Sequence, residues 1–314
     1  MFSVFHRLDK HLLAEFEYML EKKNYQRIFR YLYNMKRRTF IQQTAWTGAG
    51  LMSVQSLTQA FSQTHPQMAR IFITGSSDGL GLLAAKSLIE QGHQVVLHAR
   101  NAGRKEETLQ KIQGAEAVLT GDLTSLQETK ALAEQVNQLG HFDVVIHNAG
   151  VYTAAAQQIF SVNVLAPYVL TCLIRKPERL IYLTSDMHTG GRPKLEHFKT
   201  GIEHINYSDS KLHVLMLCKA VTRKWKEVYA NGVNPGWVPT KMGGANAPDD
   251  LQKGYETQVW LAVSNDAEAK VSGRYFYHQK VKSANPAADD VSLQERFMAL
   301  CEEITGVKFP EGGK

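Results

Sequence analysis

The sequence predicts an α/β protein: one domain built on a doubly wound parallel sheet of about seven strands with helices on both faces. Three features point there. Apolar runs alternate with helical stretches from Met68 onward, and the runs are continuous, as strands covered on both faces must be. The first run opens directly into a glycine-bearing turn and a helix.

Taken in order, residues 70–74, 94–98, 117–120, 143–147 and 180–184 read as strands. Residues 79–91, 104–112, 125–139 and 157–174 read as the helices between and after them. The run Asp143-Val144-Val145-Ile146-His147 is the clearest doubly buried strand, and Gly273-Arg274-Tyr275-Phe276-Tyr277 reads as the last. Beyond Pro286 a final helix, capped by Asp289 or Asp290, carries Leu293, Phe297, Leu300, Cys301 and Ile304 on one stripe. A stripe of this kind serves packing rather than a ligand. No solenoid-length repeat runs through the body.

The net charge is +6, but residues 1–38 hold nine Lys and Arg against four Asp and Glu, while the rest is nearly balanced. The basic character belongs to a leader, and no nucleic-acid partner is expected. Cys172, Cys218 and Cys301 stand far apart without a CxxC pair, which suits buried small side chains better than a zinc site or disulfides.

Residues 1–34 read as a basic amphipathic extension, upstream of a second candidate start at Met35. Lys36-Arg37-Arg38-Thr39-Phe40-Ile41 then precedes a charge-free, weakly apolar stretch, so 35–67 reads as a twin-arginine-like signal or leader. That reading implies a Tat translocase partner and the periplasm or cell envelope. An ordinary packed helix, with a cytoplasmic protein, is the alternative. The expected domains are then 68–280 for the α/β body and 281–314 for a helical tail.

The first strand runs into Thr74-Gly75-Ser76-Ser77-Asp78-Gly79-Leu80-Gly81. Glycines here let a pyrophosphate approach the backbone, and the following helix start offers unpaired N–H groups to it, the arrangement of a Rossmann-type dinucleotide site. The second strand ends Ala99-Arg100 where many such sheets place an acid for the ribose hydroxyls. Arg100 can pair with a 2′-phosphate, which favours NADP(H) over NAD(H). Asp78 inside the turn is a contrary sign.

The spacing Thr-Gly-xxx-Gly-x-Gly is wider than the common fingerprint and resembles that of the short-chain dehydrogenase/reductase family. The resemblance extends over about residues 69–280, and it looks closest to bacterial retinol-dehydrogenase-like members. It implies that Asp122 and Leu123, after the third strand, lie at the adenine. It implies that Asn148-Ala149-Gly150, after the fourth, borders the cofactor. Asn163, Ser185, Tyr207 and Lys211 match the family's catalytic tetrad, with Tyr207 and Lys211 also facing the cofactor. In Asn234-Pro235-Gly236-Trp237-Val238-Pro239-Thr240, after a sixth strand, Pro235, Gly236, Val238 and Thr240 would border the nicotinamide. Residues 241–254 would form a substrate lid, and family members often pair as homodimers or homotetramers.

The chemistry asks for such a set. A hydride delivered to a carbonyl carbon leaves charge on oxygen, so a proton donor must stand beside it. A phenol titrating near pH 10 is about 4 kcal/mol short of easy exchange at neutral pH. Lys211, one helical turn from Tyr207, is expected to lower that pKa, and Ser185 to hydrogen-bond the substrate oxygen. By resemblance, Asn163 places a water in the proton relay.

Each residue alone has an ordinary explanation; their order along the chain does not. The implied function is hydride transfer between NADP(H) and a carbonyl or alcohol substrate. A non-enzymatic NADP sensor and an epimerase or dehydratase are the alternatives. Two departures bear on the pocket: 150–163 is short, and 185–207 is long, with Asp186, His188, Gly190 and Gly191 in the added loop. His188 lacks partner residues for a metal site.

Overall fold

The computed structural model describes residues 68–310; the expected extension 1–34 and signal 35–67 lie outside the described residues. Eight strands form one sheet: β1 (Arg70–Ile73), β2 (Gln94–Ala99), β3 (Ala117–Thr120), β4 (Val144–His147), β5 (Arg179–Leu183), β6 (Tyr229–Asn234), β7 (Tyr275–Tyr277) and β8 (Lys280–Val281). Their order is β3-β2-β1-β4-β5-β6-β7-β8, parallel throughout except for β7 with β8. The expected seven strands are therefore present, and an eighth is added. It closes a hairpin whose two-residue turn, His278-Gln279, has both residues at positive φ, the I′ geometry that usually selects Asn-Gly.

The helices are α1 (Gly79–Glu90), α2 (Ala102–Lys111), α3 (Leu126–Gln138), α4 (Ala156–Leu173), α5 (Tyr207–Lys224), α6 (Leu251–Val263) and α7 (Val291–Thr305). All but α4 begin at an Asp, Asn or Ser whose side chain accepts a first-turn N–H. Each such cap contributes about 1 kcal/mol. Asp290, not Asp289, caps α7. Helix α4 contains one π turn, Ser161–Leu165, in which Ala166 N–H reaches back five residues to the Ser161 carbonyl.

Strand side chains divide between two cores by alternation. Ile71 and Ile73 of β1 face α1 and α6, with Leu82, Ala85, Leu88 and Leu261. Phe72 between them faces the other side, where α3, α4, α5 and α7 supply Leu132, Phe160, Leu215 and Phe297. Each fully buried side chain of this size stabilises the fold by about 2 kcal/mol.

The three cysteines are free and buried. The tail drawn at 281 begins inside β8, and α7 sends Phe297, Met298 and Cys301 into the core, so residues 281–310 belong to the domain. Beyond α7, the Val307 carbonyl accepts from Tyr168 Oη at 2.8 Å, and Phe309 packs on Trp225. The strand order reverses direction between β1 and β4, which opens a crevice at the carboxyl ends of the strands.

Candidate active site

The glycine turn fills one side of that crevice. Gly75 has φ +62°, and a Cβ there would lie 2.8 Å from the Ala149 Cα. A Cβ on Gly81 would meet Asn148 Nδ2 at 2.4 Å. The turn is thus pressed against Asn148-Ala149-Gly150, and hydrogen bonds hold the two together. Asn148 Nδ2 donates to the Thr74 and Gly75 carbonyls at 2.9 and 3.1 Å, and Ala149 N–H donates to Thr74 Oγ1 at 3.0 Å.

Sequence reasoning missed the residue that ties this turn to the sheet. His98 Nδ1 accepts the Gly75 N–H at 2.9 Å, and His98 Nε2 donates to the Gly121 carbonyl at 2.8 Å. Burial lowers its pKa and keeps the ring neutral, which this donor–acceptor pairing requires. No local pattern marks such a role; only its place at the end of β2, facing two turns, could have suggested it.

Ser76, expected at the cofactor, is fully buried instead. Its hydroxyl donates to the Ile73 carbonyl and accepts from His98 N–H, so it joins β1 to β2. Leu123 likewise belongs to the core. Asp122 is half-buried, with Oδ1 accepting from both the N–H and hydroxyl of Thr124. Ser77, Gly79 and Leu80 remain partly open at the turn.

Asp78 caps α1 through a 2.9 Å bond from Gly79 N–H, and it is paired with Arg104 at 3.2 Å and with Lys241. These contacts, Lys241 first, hold its carboxyl down at about 2. The contrary sign in the sequence is thus a neutralised charge. Arg100 is exposed at the end of β2 and has no ion pair among the described residues.

On the other side of the crevice, Ser185 follows β5 and Tyr207 opens α5. A reciprocal cap fixes that opening: Asn206 Oδ1 accepts from Asp209 N–H, and Asp209 Oδ2 accepts from Asn206 N–H. Lys194 pairs with the buried Asp209 at 2.8 Å. The Asn-x-x-Asp spacing around Tyr207 was a readable signal for this cap.

Lys211, one turn on, is buried with Nζ 5.5 Å from the Tyr207 ring centre and 2.9 Å from the Leu183 carbonyl to which it donates. Burial brings its pKa down to about 8. Tyr207 moves the other way, up to about 12, because burial outweighs the hydrogen bond from Ser185. The expected lowering of the phenol by Lys211 is not met in this arrangement. The ammonium spends a proton on Leu183, and the desolvation of the phenol dominates.

Asn163 sits in the π turn and is buried. Its Oδ1 accepts from Val151 N–H at 2.9 Å, and its Nδ2 donates to the Val151 carbonyl and to Ser210 Oγ. Its amide holds the chain after Gly150, and a Cβ on Gly150 would lie 3.2 Å from Lys211 Nζ. Tetrad and Asn-Ala-Gly element therefore meet at one point.

His188 is also buried. Its Nδ1 donates to the Ser185 carbonyl at 2.6 Å, and its Nε2 accepts from Asn285 N–H at 3.2 Å, a support for the Ser185 loop.

Above Ser185 and Tyr207 opens a cavity of about 970 Å³. Its walls include Leu80, Pro235, Gly236, Val238 and Thr240, so the Pro-Gly segment expected at the nicotinamide borders this cavity. Its mouth carries exposed apolar side chains: Tyr152, Met187, Trp237 and Met242, from 44% to 61% accessible. Tyr152 meets Tyr207 edge-on at 4.7 Å. The expected lid 241–254 is irregular only to Asp250, where α6 begins.

A family profile described as short chain dehydrogenase matches residues 69–177. An uncharacterised oxidoreductase of Emericella nidulans is 47% identical over 258 residues, 78% of this chain and 100% of the relative. The short-chain dehydrogenase chyC of Penicillium rubens is 42% identical, covering 77% of this chain and all of its own. Retinol dehydrogenase 14 of Mus musculus is 27% identical over 76% of this chain and 86% of its own.

Among solved structures, an uncharacterised protein from Mycobacterium paratuberculosis superposes with a TM-score of 0.66 at 23% identity, over 77% of this chain and 95% of its own. A blue fluorescent protein from a metagenomic library, in complex with NADPH, gives 0.56 at 21%, over 68% and 97%. The chain belongs to the short-chain dehydrogenase/reductase family and is an oxidoreductase by class. The expected bacterial character finds no support, since the relatives of 42% and 47% identity are fungal; family motifs follow the cofactor chemistry and carry no mark of lineage.

Proposed function

We propose that this protein reduces a ketone or aldehyde, or oxidises the matching alcohol, with NADP(H). The observation that carries the reading is the convergence of Ser185, Tyr207 and Lys211 beneath one cavity, on the side of the crevice facing the glycine turn.

The turn fits a dinucleotide. Positive φ at Gly75 and Gly79 and the contact of Gly81 with Asn148 leave no room for a Cβ on Gly75 or Gly81. By contrast, nothing lies within 3.9 Å of a Cβ on Gly79, so the turn is open on that side. At the start of α1, the N–H groups of Leu80 and Gly81 are first-turn donors that a pyrophosphate can take. Arg100, with no carboxylate at Ala99 and no ion pair among the described residues, supports a 2′-phosphate. Asp78 offers no opposition, because Arg104 and Lys241 balance it. The NADPH complex of the metagenomic relative is consistent with this choice. When bound, the cofactor supplies or accepts the hydride.

The chain's residues do the rest. Ser185 hydroxyl orients the substrate oxygen and favours its developing charge. Tyr207 Oη gives that oxygen a proton, and its elevated pKa makes the phenol a holder of the proton at neutral pH. Lys211 stabilises the phenolate left behind when it turns from the Leu183 carbonyl. Asn163 fixes residues 151 and 210 around this group. Asp122 and the Asn148–Gly150 turn complete the cofactor wall. The test is a panel of carbonyl compounds with NADPH and NADH, followed by absorbance. Oxidation of NADPH in preference to NADH by at least one ketone or aldehyde is expected; no turnover of any member overturns the reading.

A further inference from the structure

The cavity carries polar capacity that the proton transfer does not use. Tyr275 rises from β7 on the same face as α5 and is 2% exposed, yet among the described residues its hydroxyl makes no hydrogen bond of normal length, although the side chains of Asn234 and Asp186 stand near it. It lines the cavity together with Asp186, the residue after Ser185. Thr184 Oγ1, just before Ser185, is also buried without a hydrogen-bond partner among the described residues. A buried hydroxyl left alone costs about 1–3 kcal/mol, so two of them beside one cavity point to something that binds there.

The Tyr275 ring is held in place, packed edge-on against His188 at 4.5 Å, and His188 in turn holds the Ser185 loop. Burial raises the Tyr275 pKa, with Asp186 adding to the rise, so the phenol stays a donor. Asp186 beside it is an acceptor. One group satisfies both at once: a hydroxyl, which accepts from a phenol and donates to a carboxylate.

We propose that Tyr275 and Asp186 form a second polar subsite that selects ketones bearing a hydroxyl close to the reacting carbonyl, on a bulky or aromatic body. The body follows from the mouth of the cavity, where Tyr152, Met187, Trp237 and Met242 present apolar surface. The proposal rests on the oxidoreductase reading above and adds the class of substrate. Sites that hydrogen-bond a substrate hydroxyl reject the analogue lacking it, since their buried groups are then left unpaired.

The probes are benzoin, an aromatic α-hydroxy ketone, and deoxybenzoin, the same skeleton without the hydroxyl. Two ratios are measured on the full chain: kcat/KM with NADPH, and the equilibrium Kd of each ketone by calorimetry. The parent is expected to favour benzoin by about tenfold or more in both. Tyr275→Phe, which keeps the ring on His188, should reduce that ratio about tenfold, and Asp186→Asn by a smaller factor, with NADPH affinity reporting that each variant is folded. A ratio near one in the parent overturns the proposal, as does a ratio that survives both substitutions. If neither ketone is reduced, the Kd ratio still decides: a retained preference for benzoin keeps the subsite and counts against the reductase reading, and equal or undetectable binding ends the subsite.

Discussion

The two walls of the crevice are built differently. The wall proposed for the cofactor, residues 70–150, is close-packed around main chain: Gly75 against the Ala149 backbone, Gly81 against the Gly75 carbonyl and the Asn148 amide, with His98 and Ser76 bonded into the sheet. The wall proposed for the substrate, residues 184–192 and 235–250, is loop chain with one short 3-10 helix, Asp186–Gly190, and large apolar side chains exposed at its edge. A cofactor common to a whole family can be met by fixed main-chain geometry, whereas a particular substrate has to be met by side chains. Rigidity on one side and exchangeable surface on the other is the arrangement that lets one fold serve many substrates.

The largest effect should come where the walls meet. Tyr207→Phe removes the proposed proton donor, and turnover should fall at least about a hundredfold while NADPH affinity measured by fluorescence titration stays within a few-fold. Near-normal turnover on a good substrate would remove Tyr207 from its role. On the cofactor wall, Gly75→Ala must accept a positive φ and a backbone clash, so it should destabilise the fold by about 2 kcal/mol in urea melts and weaken NADPH binding with it. Unaltered stability and affinity would mean that this wall is softer than its contacts imply.

Arg100→Asp should leave the fold intact and shift the NADPH-to-NADH affinity ratio by about tenfold, or about 1.4 kcal/mol, toward NADH. Equal losses for both cofactors would end the claim for the 2′-phosphate.

The smallest effect concerns Asp78. Its folded pKa is about 2, below the usual carboxylate value, so its contribution is complete above about pH 4 and is lost as pH falls through about 2. The group is partly exposed, so Asp78→Asn should cost under about 1 kcal/mol in urea at pH 7, and the gap from the parent should narrow toward pH 2. A gap that widens on acidification would reverse the assignment.

Much of the fold was readable because doubly buried strands leave continuous apolar runs: Val144–His147 could hardly be anything else. β8 was not readable, since two exposed residues after a His-Gln turn carry neither periodicity nor a turn signature. In the site, Ser185, Tyr207, Lys211 and Asn163 could be picked out because the proposed chemistry constrains their type and spacing. Ser76 was misplaced for the opposite reason: a serine in a glycine turn looks the same in sequence whether it faces a phosphate or the Ile73 carbonyl. His98 and Tyr275 were missed because their partners, Gly75 and His188, lie 23 and about 87 residues away along the chain, and Asp209 because its pairing with Lys194 depends on burial. The electrostatic expectation for Tyr207 failed on a quantity no sequence displays, the depth at which a side chain is buried.

The π turn in α4 has a consequence for anyone who reads this segment by helical wheel. A turn that bonds five residues back instead of four holds one residue more than its neighbours, which is a phase slip of about 100°. A wheel drawn straight through 156–173 therefore assigns the wrong azimuth to one half of the segment. The slip also lets a single rod face two ways. Its first part turns Ile159 and Phe160 inward, its last part buries every residue from Ala166 to Cys172, and Asn163 stands where the two phases are spliced.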